Sequence, residues 1–319
     1  MPANAVRFGV NLMPQNWVGQ SIKVGPDLMT HRARMLRRMS QAGIDHVMVG
    51  DHVMFHDGIG NDGLTDAASV VTATDDLGVY LAVYLMVLRH PLLVARQILT
   101  VAQFAPGRLA LGLGIGGDDR REVTACGIEP KTRGRRMDEG LDLVRRLLAG
   151  DTVDHHGEFF HLQAAKLHPT PPAPVPLVVG GRSEAALRRA GRLGDGWLGI
   201  WTSAARCAEA IDAVEGHGAA AGRADVDWRH GMTFWCGFGA DRAQARSRVA
   251  PAMERLYRIP FEKFERYIPY GTPAQVAEFV APFIAVGATT VNFIPFAGAD
   301  DAGVDAVADV RELLLTGRF

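Results

Sequence analysis

Short apolar runs alternate with longer amphipathic stretches through almost the whole chain. A short apolar run is typical of a buried strand, and apolar residues at helical spacing are typical of a helix packed on one face. Strands that alternate with helices pair in parallel through right-handed crossovers. The eight runs that predict strands are Val6–Met13, His46–Val53, Val79–Leu88, Leu109–Gly116, Pro176–Gly181, Gly196–Trp201, Gly231–Gly239 and Thr289–Phe296.

The segments between these runs predict helices. Arg135–Leu148 carries apolar residues at helical spacing, and Thr272–Ala285 begins with a threonine N-cap followed by Pro273. Eight strand–helix units close naturally into a barrel. We therefore expect an α/β fold, a single (β/α)8 TIM barrel over residues 1–319, with an open doubly wound sheet as the alternative.

Two stretches depart from this repeat. Residues 151–175 include a proline-rich run that cannot form a helix, and residues 259–271 precede the last predicted barrel helix. Long excursions on a barrel often shape the mouth of the active site, but a purely structural flap is an equal alternative for each.

Composition excludes several classes of protein. The 319 residues carry 34 Lys and Arg against 35 Asp and Glu, and this balance argues against a nucleic-acid binder. Three scattered cysteines predict reduced, intracellular thiols. The beginning of the chain does not resemble a signal peptide, and no apolar run is long enough for a membrane span. We expect a cytoplasmic protein that acts on a small molecule.

Alternation along the strands predicts which side chains face the barrel axis. Leucines in the fourth run belong against the helices, so Gly112, Gly114 and Gly116 face inward. A glycine wall leaves space that a flat ring could fill. The same rule places Asn11 and His52 inward at the carboxyl ends of their strands, where barrel active sites lie.

Two glycine motifs differ in what they predict. The G-x-G-x-x-G match at 112–117 is followed by a polar loop rather than a helix, which argues against a dinucleotide fingerprint. Gly180, Gly181, Arg182 and Ser183 follow the fifth predicted strand and open a helix, a pattern that suits a phosphate; the alternative is a tight turn with a solvated arginine. The histidines lack metal-site spacing, and we expect no metal.

Four blocks of the sequence resemble the luciferase-like monooxygenase superfamily, which includes flavin- and deazaflavin-dependent oxidoreductases. They are VGDHV at 49–53, RHPLLVARQILTVAQFAPGRLALGLGIGG at 89–117, RGRRMDEGLDLVRRLLAGDTVDHHGEFFHL at 133–162 and PLVVGGRSEAALRRAGRLGDGWL at 176–198. The resemblance spans about residues 6–315 and implies a (β/α)8 barrel that binds FMN or the deazaflavin coenzyme F420 at its carboxyl-terminal mouth.

The resemblance also implies roles for particular residues. Asp51-His52 resembles the deazaflavin branch, in which the matching histidine lies beside the reactive carbon. Glu122 matches an acidic residue that is more often structural in the family. Gly117 stands where the sugar-phosphate dehydrogenases carry a glutamate, which argues against glucose 6-phosphate as substrate. A cis peptide is implied at Tyr84–Leu85.

The candidate site follows from these arguments. The candidate catalytic residues are His52, Asp51 and Glu122. The candidate cofactor contacts are Asn11, Asp51, His52, Tyr84, Leu85, Gly112, Gly114, Gly116, Gly180, Gly181, Arg182, Ser183 and Trp197. The candidate substrate contacts are Trp235, Phe293 and Phe296.

The predicted function is hydride transfer between coenzyme F420 and an unidentified small organic substrate. The alternatives are an FMN-dependent monooxygenase, which would use reduced flavin and O2 and usually a partner reductase, and a non-catalytic flavin-binding barrel. The family resemblance also implies a homodimer.

Overall fold

Eight parallel strands form the closed barrel that the sequence predicts. The computed structural model describes residues 6–12, 24–56, 58–117 and 119–319. The barrel strands are β1 (Arg7–Asn11), β2 (His46–Val49), β5 (Gly78–Tyr84), β6 (Leu109–Leu113), β9 (Leu177–Gly180), β10 (Trp197–Ile200), β11 (Gly231–Phe238) and β13 (Thr290–Phe296). Their order around the barrel is β10-β9-β6-β5-β2-β1-β13-β11, and β11 pairs with β10 to close the ring.

The described helices surround the barrel or cross its ends. They are α1 (Gly25–Gln41), α2 (Gly63–Ala73), α3 (Pro91–Phe104), α4 (Arg120–Ala125), α5 (Arg133–Ala149), α6 (Glu184–Leu193), α7 (Ala204–Ala220), α8 (Arg242–Tyr257), α9 (Pro273–Ala285) and α10 (Asp300–Thr316). None of the helices within the described residues is both long and apolar enough to cross a bilayer.

Local chemistry explains where the two predicted helices begin and end. Helix α9 begins with a capping box: the Thr272 hydroxyl accepts from the backbone of Gln275, whose side chain in turn accepts from the backbone N–H of Thr272. Helix α5 ends at Gly150, whose φ of 87° lies in the left-handed region that glycine adopts without steric cost. Both predicted helices are thus confirmed, within two residues at each end.

The predicted second strand is interrupted. Its parallel pairing ends at Val49, and His52 begins a separate strand, β3 (His52–Phe55), that pairs antiparallel with β4 (Ile59–Asn61). His52 therefore lies on a small hairpin above the barrel end rather than on the barrel strand itself.

The two excursions take different places. Residues 151–175 contain the hairpin β7 (Val153–His156) and β8 (His161–Ala165), and no described residue of this stretch lines the cavity at the carboxyl ends of the barrel strands. Residues 259–271 form two 3-10 turns and the short strand β12 (Tyr270–Gly271), which pairs with the carboxyl end of β11. Only this second excursion packs behind the mouth of the barrel, where Phe261 and Phe264 join the apolar cluster around Trp235.

The barrel interior is divided by an apolar layer. Apolar residues on the outer strand faces, such as Phe8 and Leu111, are buried against the helices in the main core. Tyr80, Val178 and Leu198 instead form a separate cluster inside the barrel. This inner layer separates a cavity at the carboxyl ends of the strands from a smaller one at their amino ends.

Candidate active site

A cavity of about 320 Å³ lies at the carboxyl ends of the barrel strands. Barrel enzymes carry their active sites at this end because the loops after the strands converge there. The predicted site residues that line it are Asn11, Asp51, His52, Leu85, Gly114, Gly116, Gly180, Gly181 and Trp235. These predicted residues come from six of the barrel strands and their following loops, and they surround one space.

One wall of the cavity is built from glycine. Gly114 and Gly116 follow β6, and Gly180 and Gly181 end β9 and begin the next turn. A Cβ atom added to Gly114 would lie 2.5 Å from the Cγ2 atom of Val83, so Val83 would have to shift to make room for any larger residue. The wall is open because it lacks side chains, and a flat ligand can lie directly against the backbone.

His52 lines the same cavity and pairs with Glu122 behind it. The His52 Nδ1 atom lies 3.0 Å from Oε2 and 3.3 Å from Oε1 of Glu122. Glu122 also accepts from the backbone N–H groups of Val53 (2.6 Å) and Met54 (3.1 Å). Glu122 is 2% exposed and does not line the cavity, so it lies behind His52 and fixes the orientation of the ring.

The environment of Glu122 keeps it charged. Burial alone would raise the pKa of its carboxyl group. The hydrogen bond and the charge of His52, together with the two backbone donors, outweigh burial and hold the pKa below its ordinary value. An ionised Glu122 accepts a hydrogen bond from the Nδ1–H group of His52, which places the lone pair of the neutral ring on Nε2.

Helix α4 brings Glu122 to this position. Asp119 caps the helix by accepting from the backbone N–H of Arg121 at 3.0 Å. The same carboxylate accepts from the backbone N–H of His56 at 3.0 Å, which ties α4 to the hairpin that carries His52. Two segments about 70 residues apart in the chain are thereby joined.

Asp51 lines the cavity, but its carboxylate is fully engaged elsewhere. Oδ1 accepts from the backbone N–H of Gly63 (2.9 Å) and from Nη2 of Arg89 (2.8 Å). Oδ2 accepts from the backbone N–H of Leu85 (2.8 Å) and from Nη1 of Arg89 (2.8 Å). The structure therefore corrects the prediction of a catalytic Asp51: this side chain holds the segment after β5 in place.

A bulge in β5 corrects the predicted placement of Tyr84. The pairing register with β6 shifts between Ala82 and Tyr84, so Ala82 and Val83 both line the cavity. The extra residue reverses the alternation beyond it. Tyr84 then faces the helices, with the Arg89 guanidinium over its ring, and Leu85 faces the cavity. The cis peptide bond joins Ala82 and Val83, not Tyr84 and Leu85 as predicted.

The predicted phosphate motif lies beside the cavity with only its glycines on the lining. Ser183 caps α6, and Arg182 lies over the Trp201 ring, 5.9 Å from its centroid. Neither of these side chains lines the cavity. Trp197 is also outside it: its ring is buried in the main core, and its Nε1 donates to the carbonyl of Gly181 at 2.6 Å. Trp197 thus holds the glycine turn rather than contacting a ligand.

Three more predicted residues lie outside the cavity. Phe293 faces the helices and packs against Phe234, because alternation places it with the outer residues of β13. Phe296 stacks on Trp235 from behind, with ring centroids 5.5 Å apart. Gly112 faces inward but lies below the cavity, where Leu198 fills the space above it.

Sequence reasoning missed most of the apolar lining. These residues are Met48, Gly50, Phe55, Ala82, Val83, Ile115, Gly117, Leu198, Gly199, Ile200, Trp201, Thr233, Leu256, Tyr257 and Ile294. Strand alternation could have found Thr233, which shares a strand face with Trp235, but no sequence signal places Leu256 and Tyr257 at the end of α8 over the mouth.

Unpaired polar groups mark the aromatic side of the cavity. The Thr233 hydroxyl and the indole nitrogens of Trp201 and Trp235 are buried and have no hydrogen-bond partner among the described residues. Thr233 and Trp235 are each 5% exposed. Buried donors in native proteins are normally paired, so these groups indicate a ligand or water that supplies acceptors. Together with the glycine wall, they fit a flat heterocycle that carries hydrogen-bond acceptors.

The fold and this site define a barrel protein whose catalytic-end cavity suits a planar redox cofactor. A family model for luciferase-like monooxygenases matches residues 6–288. The chain belongs to the luciferase-like monooxygenase family.

Comparison with known proteins gives further likenesses. The chain is 40% identical over 111 residues to an uncharacterised protein of Mycobacterium tuberculosis, an alignment that covers 35% of this chain and 38% of that protein. The chain is 27% identical over 282 residues to an F420-dependent glucose-6-phosphate dehydrogenase of Kineococcus radiotolerans, covering 79% and 83% of the two chains.

The fold is also that of a solved enzyme. The structure of an F420-dependent secondary alcohol dehydrogenase in complex with an F420-acetone adduct superposes with a TM-score of 0.80. It covers 96% of this chain and 98% of the other at 19% identity, so this likeness concerns the fold.

Proposed function

We propose that this protein is an oxidoreductase that transfers hydride between the deazaflavin coenzyme F420 and a small organic substrate. The observation that carries the proposal is one cavity whose lining includes both a glycine wall and His52, with Glu122 behind the histidine. The F420-dependent relatives support the choice of cofactor.

The residues of the cavity fit a deazaflavin. Gly114, Gly116, Gly180 and Gly181 would hold the ring, and the turn at Gly181 with Arg182 and Ser183 would hold its phosphate. When bound, the deazaflavin supplies a carbon that accepts or donates hydride. The protein orients this ring against the glycine backbone and excludes water with its aromatic lining.

His52 handles the proton that accompanies the hydride. Glu122 holds Nδ1, so Nε2 accepts a proton when substrate is oxidised and returns it when substrate is reduced. Charge and protons therefore balance within the cavity, and no metal is required for this step.

The aromatic side of the cavity would receive the substrate. Trp201, Trp235 and Tyr257 supply apolar area there, and none of the described lining residues is a lysine or an arginine. A phosphorylated sugar needs cationic partners, so we propose an uncharged organic substrate with an apolar body.

His52→Ala tests the proposed chemistry. The substitution should leave the far-ultraviolet circular dichroism and the dissociation constant for F420 within about threefold, while turnover falls by about 100-fold or more. His156→Ala, on the hairpin outside the cavity, is the matched control and should leave turnover unchanged. Unchanged turnover in the His52 variant would remove this residue from the mechanism.

An FMN-dependent monooxygenase is the second candidate, since the matching family is that of luciferase-like monooxygenases. Titration with F420 and with FMN, followed by fluorescence, separates the two proposals. Tighter FMN binding, with oxygen-dependent oxidation of reduced flavin, would favour the monooxygenase and a separate reductase. Binding of either ring without turnover would favour a non-catalytic barrel.

Sedimentation velocity tests the expected homodimer.

A further inference from the structure

A second cavity opens at the opposite, amino-terminal end of the barrel. Its volume is about 170 Å³, and it lies where strands β1, β2, β5, β6 and β13 begin. Tyr80 and Val178 form its inner floor and separate it from the candidate active site. The cavity is therefore independent of the site described above.

The charge of this cavity is of one sign. Arg7, Arg108 and Arg229 line it, and no Asp or Glu is among its described lining residues. Among the described residues, the Arg229 side chain pairs only with Asp227, at an exposed position where Nη2 lies 3.5 Å from the carboxylate. Like charges gathered around a small, partly desolvated space repel one another, and a bound anion would relieve that repulsion.

An ordinary structural role accounts for only one of these arginines. Helices end at this face of a barrel, and a cation commonly satisfies their last carbonyl groups. Arg108 does this for α2 by donating to the carbonyls of Val71 (3.0 Å) and Thr74 (2.8 Å). Arg7 makes no such bond within the part of the chain that the structure describes, and its Nε is buried without a partner.

A buried tyrosine whose hydroxyl is unpaired borders the same space. Tyr80 lines the cavity, is 5% exposed, and its hydroxyl has no hydrogen-bond partner among the described residues. His46, which also lines the cavity, is already engaged through Nε2 with Oδ1 of Asn292 at 2.7 Å. A group with several acceptor oxygens would satisfy Tyr80 and Arg7 together.

We propose that this amino-terminal cavity binds a small oxyanion, a phosphate or a carboxylate group, through Arg7, Arg229 and the hydroxyl of Tyr80. The bound anion stabilises the barrel by joining the beginnings of several strands. This proposal does not depend on the cofactor or on the reaction proposed above.

Thermal unfolding of the full chain tests the site with inorganic phosphate as the probe. The melting temperature should rise with phosphate in a saturable way when chloride keeps the ionic strength constant. Arg7→Gln and Tyr80→Phe should each weaken the binding of phosphate about tenfold, since each removes a hydrogen bond to a charged ligand. Acetate in place of phosphate identifies which head group the cavity prefers.

Tyr80→Phe removes one unpaired buried oxygen, so without phosphate the variant should melt at or above the wild-type temperature. The rise of its melting temperature with phosphate should nevertheless be smaller than in the wild type. Arg188→Gln, at an exposed position of α6 that lines neither cavity, is the control and should retain the full response. A response lost in Arg188→Gln and retained in Arg7→Gln, or no saturable response in the wild type, would overturn the proposal.

Discussion

Glu122→Gln isolates the positioning of His52 from its chemistry. In the wild type the Glu122 carboxylate accepts from His52 Nδ1 at 3.0 Å and from the backbone of Val53 at 2.6 Å. A glutamine oxygen can keep the backbone bonds, but its NH2 group then faces Nδ1 and donates to it. The proton of the neutral ring moves to Nε2, so the ring presents a donor to the cavity where the oxidation step needs a base.

The expected loss follows from that change of tautomer. Removing the outer partner of a functional histidine typically costs about 10- to 100-fold in activity. We expect kcat for substrate oxidation to fall by this amount, less than for His52→Ala. Stability should fall by about 1.5–3 kcal/mol, because charge-assisted hydrogen bonds to Glu122 are weakened.

Stopped-flow reduction of F420 across pH is the assay that separates these effects. The dissociation constant for F420 should stay within about threefold of the wild type, while the pH profile shifts with the changed histidine. If kcat and its pH profile match the wild type and only the urea midpoint falls, Glu122 is a structural residue and the positioning argument is wrong.

Three further predictions concern binding and stability. Gly114→Ala should weaken the binding of F420 by about tenfold or more, because its Cβ would lie 2.5 Å from Val83. Isothermal titration compares it with Gly216→Ala, at an exposed helix position with nothing within 4 Å, which should leave F420 binding unchanged. Burial lowers the pKa of His46 to about 4. As the pH falls from about 6.5 to 4, the unfolded chain binds a proton that the folded chain does not, so the free energy of unfolding should fall by up to about 3 kcal/mol. In a His46→Gln variant, the free energy of unfolding measured in urea should change less steeply with pH, and an unchanged pH dependence would contradict the assignment. Thr272→Ala should cost about 1 kcal/mol, measured by urea unfolding, through loss of the capping box, and equal midpoints would refute this.

Much of the fold was predictable because it depends on patterns along single segments. Alternation along the strands correctly placed Asn11 and Gly114 at one cavity, since outer and inner strand faces need different residues. His52 lines the same cavity, although it lies on a separate hairpin. The same rule applied to β13 would have placed Phe293 outside, beside Val291.

The sequence alone determined the barrel, its capped helices and the glycine wall, since periodicity and residue type decide these locally. Only the tertiary structure decided the rest. The bulge at Ala82 and Val83 turned Tyr84 away from the cavity, and Asp51 became an anchor for Arg89. The pairing of Glu122 with His52 required two distant segments to meet. The physical reason is that register shifts and long-range hydrogen bonds depend on how whole elements pack, which no single segment of sequence specifies.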